Sequence, residues 1–124
     1  MVQKRILIVD DDSDYLFLLN HALTEQGYEV VSCRNGAQAL RRAKETKPDL
    51  IILDLFMPEE DGAEIKLKLD NDAETVRIPV IFLTNLALPG ESGNSASQKK
   101  SKNIIIGKSH DRTELFRAIQ GVLG

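Results

Sequence analysis

The sequence predicts an α/β domain built on a doubly wound, five-stranded parallel sheet. Three observations carry that expectation. Short runs rich in branched apolar residues recur along the 124 residues, and stretches with apolar residues at helical spacing separate them. The runs Arg5–Val9, Leu50–Asp54 and Ile104–Gly107 hardly alternate between apolar and polar, which is the pattern of strands covered on both faces. Polar or charged residues stand where the runs end: Asp10, Asp54, Thr84 and Lys108.

Each element follows from its local pattern. The run at 5–9 ends in Asp10-Asp11-Asp12, and a helix follows with Asp12 or Ser13 as its N-cap and Leu16, Leu19, Ala22 and Leu23 as its apolar stripe. Gly27 stops that helix. Residues 28–33 form a less apolar strand, suited to a sheet edge, and Asn35-Gly36 make a turn. A second helix is expected over 37–46 with Ala39, Leu40 and Ala43 inward. The strand ending at Asp54 comes next, bracketed by Pro48 and Pro58. A third helix is expected over 60–70, with Ile65 and Leu69 inward and Gly62 obscuring its start. A polar stretch at 71–77 leads to a fourth strand at 78–83, ending in Thr84-Asn85. The fifth strand ends at Gly107-Lys108. Asp111 and Glu114 resemble a capping box for a last helix over 112–123, with Leu115, Ala118, Ile119, Val122 and Leu123 inward.

The crossover between the fourth and fifth strands departs from this regularity. A parallel connection calls for a helix, but Pro89, Gly90, Ser92, Gly93, Asn94, Ser95 and Ser97 give a loop composition with almost no apolar face. A weak or irregular fourth helix is expected there. For five alternating strands the flavodoxin-like order 2-1-3-4-5 is the natural one, with its switch point between strands one and three.

Composition limits the function. The chain is long enough for one domain with one core, and residues 1–124 are read as that domain. A net charge of −3 does not suit a protein that coats nucleic acid or an anionic membrane. No apolar run is long enough to span a bilayer, and Met1-Val2-Gln3-Lys4-Arg5 does not resemble a signal peptide. The single cysteine, Cys33, excludes an internal disulfide and a multi-cysteine metal site. These features fit the cytoplasm.

The predicted strand order brings Asp10, Asp11 and Asp54 to one sheet edge, flanked by Thr84 and Lys108. Carboxylates that close repel one another unless a cation sits among them, and hard oxygen ligands with room for water suit Mg²⁺. An ammonium and a hydroxyl beside a metal-bound carboxylate make a site for a phosphoryl group, whose transfer needs mainly positioning and charge neutralisation. A carboxylate can itself be the nucleophile and become an aspartyl phosphate.

The pieces Ile6-Leu7-Ile8-Val9-Asp10-Asp11, Leu53-Asp54 with Met57-Pro58 and Asp61-Gly62, then Thr84, then Lys108 resemble the receiver domains of bacterial response regulators, chemotaxis-regulator-like. The resemblance covers essentially the whole chain. It implies a phosphoacceptor of a two-component system, self-catalysing transfer and hydrolysis only, and not an enzyme in the usual sense. Asp54 would take phosphoryl from a phosphohistidine. Asp11, Asp54 and the backbone carbonyl of Phe56 would bind Mg²⁺, with Asp10 acting mainly through a metal-bound water. Thr84 and Lys108 would contact the phosphoryl oxygens. Phe56 and Leu86 would border the path of the attacking water. The implied partners are a histidine kinase or phosphotransfer protein and an unknown downstream protein, with no direct nucleic-acid contact and no membrane. The implied state is a monomer or weak dimer, either stand-alone or part of a longer protein.

Several positions depart from the family pattern. Ser109 replaces the proline that usually follows the lysine through a cis bond, Asn85 replaces a small residue after the threonine, and Ile105 stands where many receivers carry a switching Tyr or Phe. These feed an alternative, a pseudo-receiver that binds without taking phosphate. A second alternative, a haloacid-dehalogenase-type phosphatase, draws on Asp10-x-Asp12 but leaves Asp54 without a role and lacks the acidic pair after the lysine strand. His21 reads as a solvated helix residue and His110 as polarity at a helix entry. Lys99, Lys100 and Lys102 read as a solvated loop. At most one of Phe17 and Leu18 is expected inward, the other marking a docking surface.

Overall fold

The computed structural model describes residues 3–57, 60–85, 104–108 and 112–124. Its elements run β1 (Arg5–Val9), α1 (Ser13–Glu25), β2 (Glu29–Cys33), α2 (Ala39–Thr46), β3 (Leu50–Asp54), α3 (Gly62–Asp70), β4 (Val80–Thr84), β5 (Ile104–Gly107) and α4 (Thr113–Leu123). The five strands form one parallel sheet in the order β2-β1-β3-β4-β5. The flavodoxin-like expectation therefore holds, with β2 at an edge. The expected weak helix between the last two strands lies outside the described residues, as do Ser109, His110 and Asp111.

Side-chain alternation along the strands divides the core in two. Ile6, Ile8, Leu50, Ile52, Ile81, Leu83 and Ile106 face α1 and α4, where they meet Leu16, Leu19, Leu23, Leu115 and Ile119. Leu7, Val9, Ile51, Leu53, Val80 and Phe82 face α2 and α3, meeting Ala39, Ala43, Ile65 and Leu69. Both faces of the inner strands are covered, so the strands have no polar face to show in the sequence. Phe17 and Leu18 are both exposed, on the solvent side of α1. His21 is exposed as expected and lies 3.4 Å from Glu25 one turn on.

Of the two caps expected for α1, Asp12 is the one used, and three other elements start later than expected or in another form. Asp12 is the N-cap of α1, accepting the Asp14 and Tyr15 N–H groups at 3.0 and 3.2 Å. The helix expected over 37–46 opens instead as a 3₁₀ turn, Gly36–Gln38, because Asn35 Oδ1 accepts the Gln38 N–H at 3.0 Å. The helix expected from residue 60 begins at Gly62, because Asp61 caps it through the Glu64 N–H at 2.9 Å. The fourth strand starts at Val80, two residues late, since the Ile78 N–H is taken by the Thr75 carbonyl at 3.0 Å in a turn. No side-chain cap is seen for α4 among the described residues.

Gly62 is needed where it stands. A Cβ there would lie 2.7 Å from the Asp54 carbonyl oxygen and 3.0 Å from Leu55 Cα, both backbone atoms. The missing side chain lets α3 close on the end of β3, where the Gly62 N–H donates to the Leu55 carbonyl at 2.7 Å.

Candidate functional site: an acidic pocket at the sheet edge

Parallel pairing aligns the carboxyl ends of four strands. Val9 pairs with Leu53, Asp54 with Leu83, and Thr84 with Gly107. Asp10 follows the last residue of β1, Asp54 and Thr84 close β3 and β4, and Lys108 follows β5. The ends are tied by main-chain bonds: Asp10 N–H to the Cys33 carbonyl at 3.0 Å, Leu55 N–H to Leu83 at 2.8 Å, and Lys108 N–H to Thr84 at 2.7 Å. Alternation sets direction. Asp54 shares the α1/α4 side with Leu50 and Ile52, and the same count carries Asp10 and Lys108 to that side.

Asp10, Asp11 and Asp54 each present a carboxylate oxygen within 4.8 Å of the others. Asp10 and Asp54 are buried and Asp11 is exposed. Asp10 Oδ1 accepts the Asp12 N–H at 2.9 Å. Lys108 Nζ lies 2.7 Å from Asp10 Oδ2 and 3.6 Å from Asp54 Oδ2. The closer contact is an ion pair off hydrogen-bond alignment, so the buried Asp10 Oδ2 keeps lone-pair capacity, with no hydrogen-bond partner among the described residues. Asp54 Oδ1 accepts a long bond from the Phe56 N–H, at 3.4 Å.

Burial pushes the Asp54 carboxyl up to about 6, with the Asp10 charge adding to it. Lys108 and the Phe56 N–H pull the other way, and Asp11 raises it slightly further. Lys108 does not offset burial and the neighbouring carboxylates. The cluster fits a small hard dication on three counts: oxygen donors only, one open carboxylate face at Asp11, and a buried Asp10 oxygen without an aligned donor. The donor set is that of a Mg²⁺ site.

Of the predicted site residues, Asp10, Asp11, Asp54 and Lys108 come together. Thr84 is buried at the end of β4, next to the strand that carries Asp54. The Phe56 side chain is 57% exposed on the loop leaving β3. Leu86 lies outside the described residues. Sequence reasoning missed Tyr15. Its ring centroid is 4.6 Å from Lys108 Nζ, and burial, then Asp10, push its hydroxyl up to about 12, against a smaller opposing effect of Arg112. The signal was present: Tyr15 stands four and eight residues before Leu19 and Leu23 on the buried stripe.

A parallel doubly wound sheet with three carboxylates and a lysine at its switch-point edge defines a receiver-type α/β domain. The family model described as "Response regulator receiver domain" matches residues 6–120, and the chain belongs to that family. The chain is 39% identical over 88 residues to the polar-differentiation response regulator DivK of Brucella anthropi, covering 71% of this chain and 72% of that protein. It is 32% identical over 119 residues to protein PilH of Pseudomonas aeruginosa, covering 96% and 97%. Among solved structures it resembles the response regulator TrrA of Thermotoga maritima, in complex with Mg²⁺ and BeF, at TM-score 0.78 and 29% identity over 98% of this chain and 100% of that one. The chain is thus a two-component receiver and not a conventional enzyme, and the phosphatase alternative falls. Membership implies a cognate histidine kinase as partner. Among the described residues no helix is long and apolar enough to cross a membrane.

Proposed function

We propose that residues 1–124 act as one cytoplasmic phosphoacceptor domain in which Asp54 receives a phosphoryl group from a histidine of a kinase or phosphotransfer protein. The observation that carries this reading is the pairing of a charge-starved Asp54 with two further carboxylates and an ammonium. An Asp54 oxygen attacks phosphorus, the P–N bond to the donor imidazole breaks, and the imidazole keeps the electron pair and takes a proton. Asp11, Asp54 and the Phe56 carbonyl would hold Mg²⁺, with Asp10 assisting, and the ion would supply neutralisation of the phosphoryl oxygens. Lys108 is already held between Asp10 and Asp54 and needs only a small swing to pair with a phosphoryl oxygen. The Thr84 hydroxyl donates to another. The output passes by protein contact, from a monomer or weak dimer, with no direct nucleic-acid contact.

Titration with Mg²⁺ followed by amide chemical shifts tests the metal half of this reading. The expected result is saturable shifts around Asp11, Asp54 and Phe56 that disappear in Asp11→Ala. Unchanged Mg²⁺ affinity in that variant would remove Asp11 from the site. Absence of binding in the unsubstituted chain would favour the pseudo-receiver alternative.

A further inference from the structure

Lys108 is held from three sides. Two are the carboxylates of Asp10 and Asp54, at 2.7 and 3.6 Å. The third is the face of Tyr15, with its ring centroid 4.6 Å from the ammonium. Only 7% of the lysine side chain is exposed, so water screens this contact little, and a cation over an aromatic face gains most when desolvated. The ring is placed by packing: Tyr15 lies in the first full turn of α1 and packs against the core that Leu19, Leu23 and Ile106 help form.

We propose that Tyr15 is a positioning residue for Lys108, its ring face holding the ammonium at the edge of the acidic pocket where a phosphoryl oxygen arrives. The inference rests on the phosphoacceptor reading and names a residue that reading does not use. Two features of this chain make such a clamp matter. A lysine side chain is long and loses much rotamer freedom when fixed, and here the residue after it is Ser109 in place of the rigid proline. The ring also does not replace the aromatic missing from the fifth strand. Ile105 packs with the α2/α3 core, whereas Tyr15 packs with the α1/α4 core on the opposite face of the sheet. Tyr15 therefore acts on the lysine and not on a strand-five rotamer switch. With a leucine in its place the wall stays apolar but the attraction is lost, and among the described residues the ammonium is restrained by the carboxylates alone.

Two measurements on the full chain test this. The first is the ¹H–¹³C spectrum of the Lys108 side chain without any ligand. Its terminal methylene protons should be shifted upfield by the ring, return toward ordinary lysine positions in Tyr15→Leu, and be restored in Tyr15→Phe. The second is the affinity for beryllofluoride in saturating Mg²⁺. It should fall on the order of tenfold in Tyr15→Leu and recover in Tyr15→Phe, while Mg²⁺ affinity changes less, because Tyr15 is not one of the proposed metal ligands. A merely structural role would move both affinities together. Lysine shifts identical in all three proteins would overturn the inference, as would equal beryllofluoride affinity in the unsubstituted chain and Tyr15→Leu. Failure of the unsubstituted chain to bind beryllofluoride at all would overturn the phosphoacceptor reading and this inference with it.

Discussion

Replacing Asp54 by asparagine should stabilise the metal-free protein at neutral pH. Asp54 is 4% exposed and its carboxyl holds its proton up to about 6, against an ordinary 3.8. The unfolded chain releases that proton first as pH rises, so between those values the folded state binds more protons and stability falls with rising pH. Each pH interval of one corresponds to about 1.4 kcal/mol, so the ionised Asp54 costs the fold about 3 kcal/mol above pH 6. The loss begins near pH 4, is complete a little above pH 6, and is reversed by acidification or by a cation in the pocket. Asp54→Asn removes the charge at nearly constant volume and should gain back most of that figure, a rise of about 10 °C in Tm for a chain of this size. The assay is urea unfolding at pH 7 and pH 4.5, with and without Mg²⁺. The variant should exceed the parent at pH 7 without metal, and the gap should narrow at pH 4.5 and on adding Mg²⁺ to the parent. An asparagine variant equal to or weaker than the parent at pH 7 would show that burial and Asp10 do not strain the Asp54 charge, and the reasoning would be wrong.

Other perturbations probe the scaffold and the exit of the phosphoryl group. Gly62→Ala puts a methyl 2.7 Å from the Asp54 carbonyl oxygen. The overpacking should cost about 1–3 kcal/mol in denaturation and weaken Mg²⁺ binding, whereas unchanged stability would mean that α3 yields freely. Lys47 ends α2 in the left-handed region, at φ 49°, with its side chain exposed. Lys47→Gly should therefore raise unfolding stability by about 0.5–1 kcal/mol, and a loss would show that the lysine side chain contributes more than its backbone strain costs. Phe56 is exposed beside Asp54 and cannot orient a water, so Phe56→Asn should speed dephosphorylation by up to about tenfold with no change in melting, as followed by loss of phosphoprotein over time.

What was legible in the sequence and what was not divide along physical lines. The inner strands were visible because a sheet covered on both faces leaves unbroken apolar runs such as Leu50-Ile51-Ile52-Leu53. Asp10, Asp54, Thr84 and Lys108 were visible because they terminate those runs, and parallel strands in register must bring their ends together. Helix starts were less legible. Asn35 and Asp61 act as caps through single side-chain bonds, and nothing in the apolar periodicity reports which polar residue wins. The contact of Tyr15 with Lys108 was not legible, because it depends on how α1 lies over the sheet and joins residues far apart in the chain. Gly62 could be noticed but not explained until the Asp54 carbonyl was seen to occupy the space of its missing Cβ.

The central claim is that Asp54 accepts a phosphoryl group in a Mg²⁺-dependent reaction. Intact-mass spectrometry after incubation with acetyl phosphate and Mg²⁺ tests it most directly. One added phosphoryl group is expected on the unsubstituted chain, and none in Asp54→Asn or when the metal is chelated. A phosphoryl adduct that persists in Asp54→Asn, or no adduct on the unsubstituted chain with Mg²⁺ present, would contradict the account.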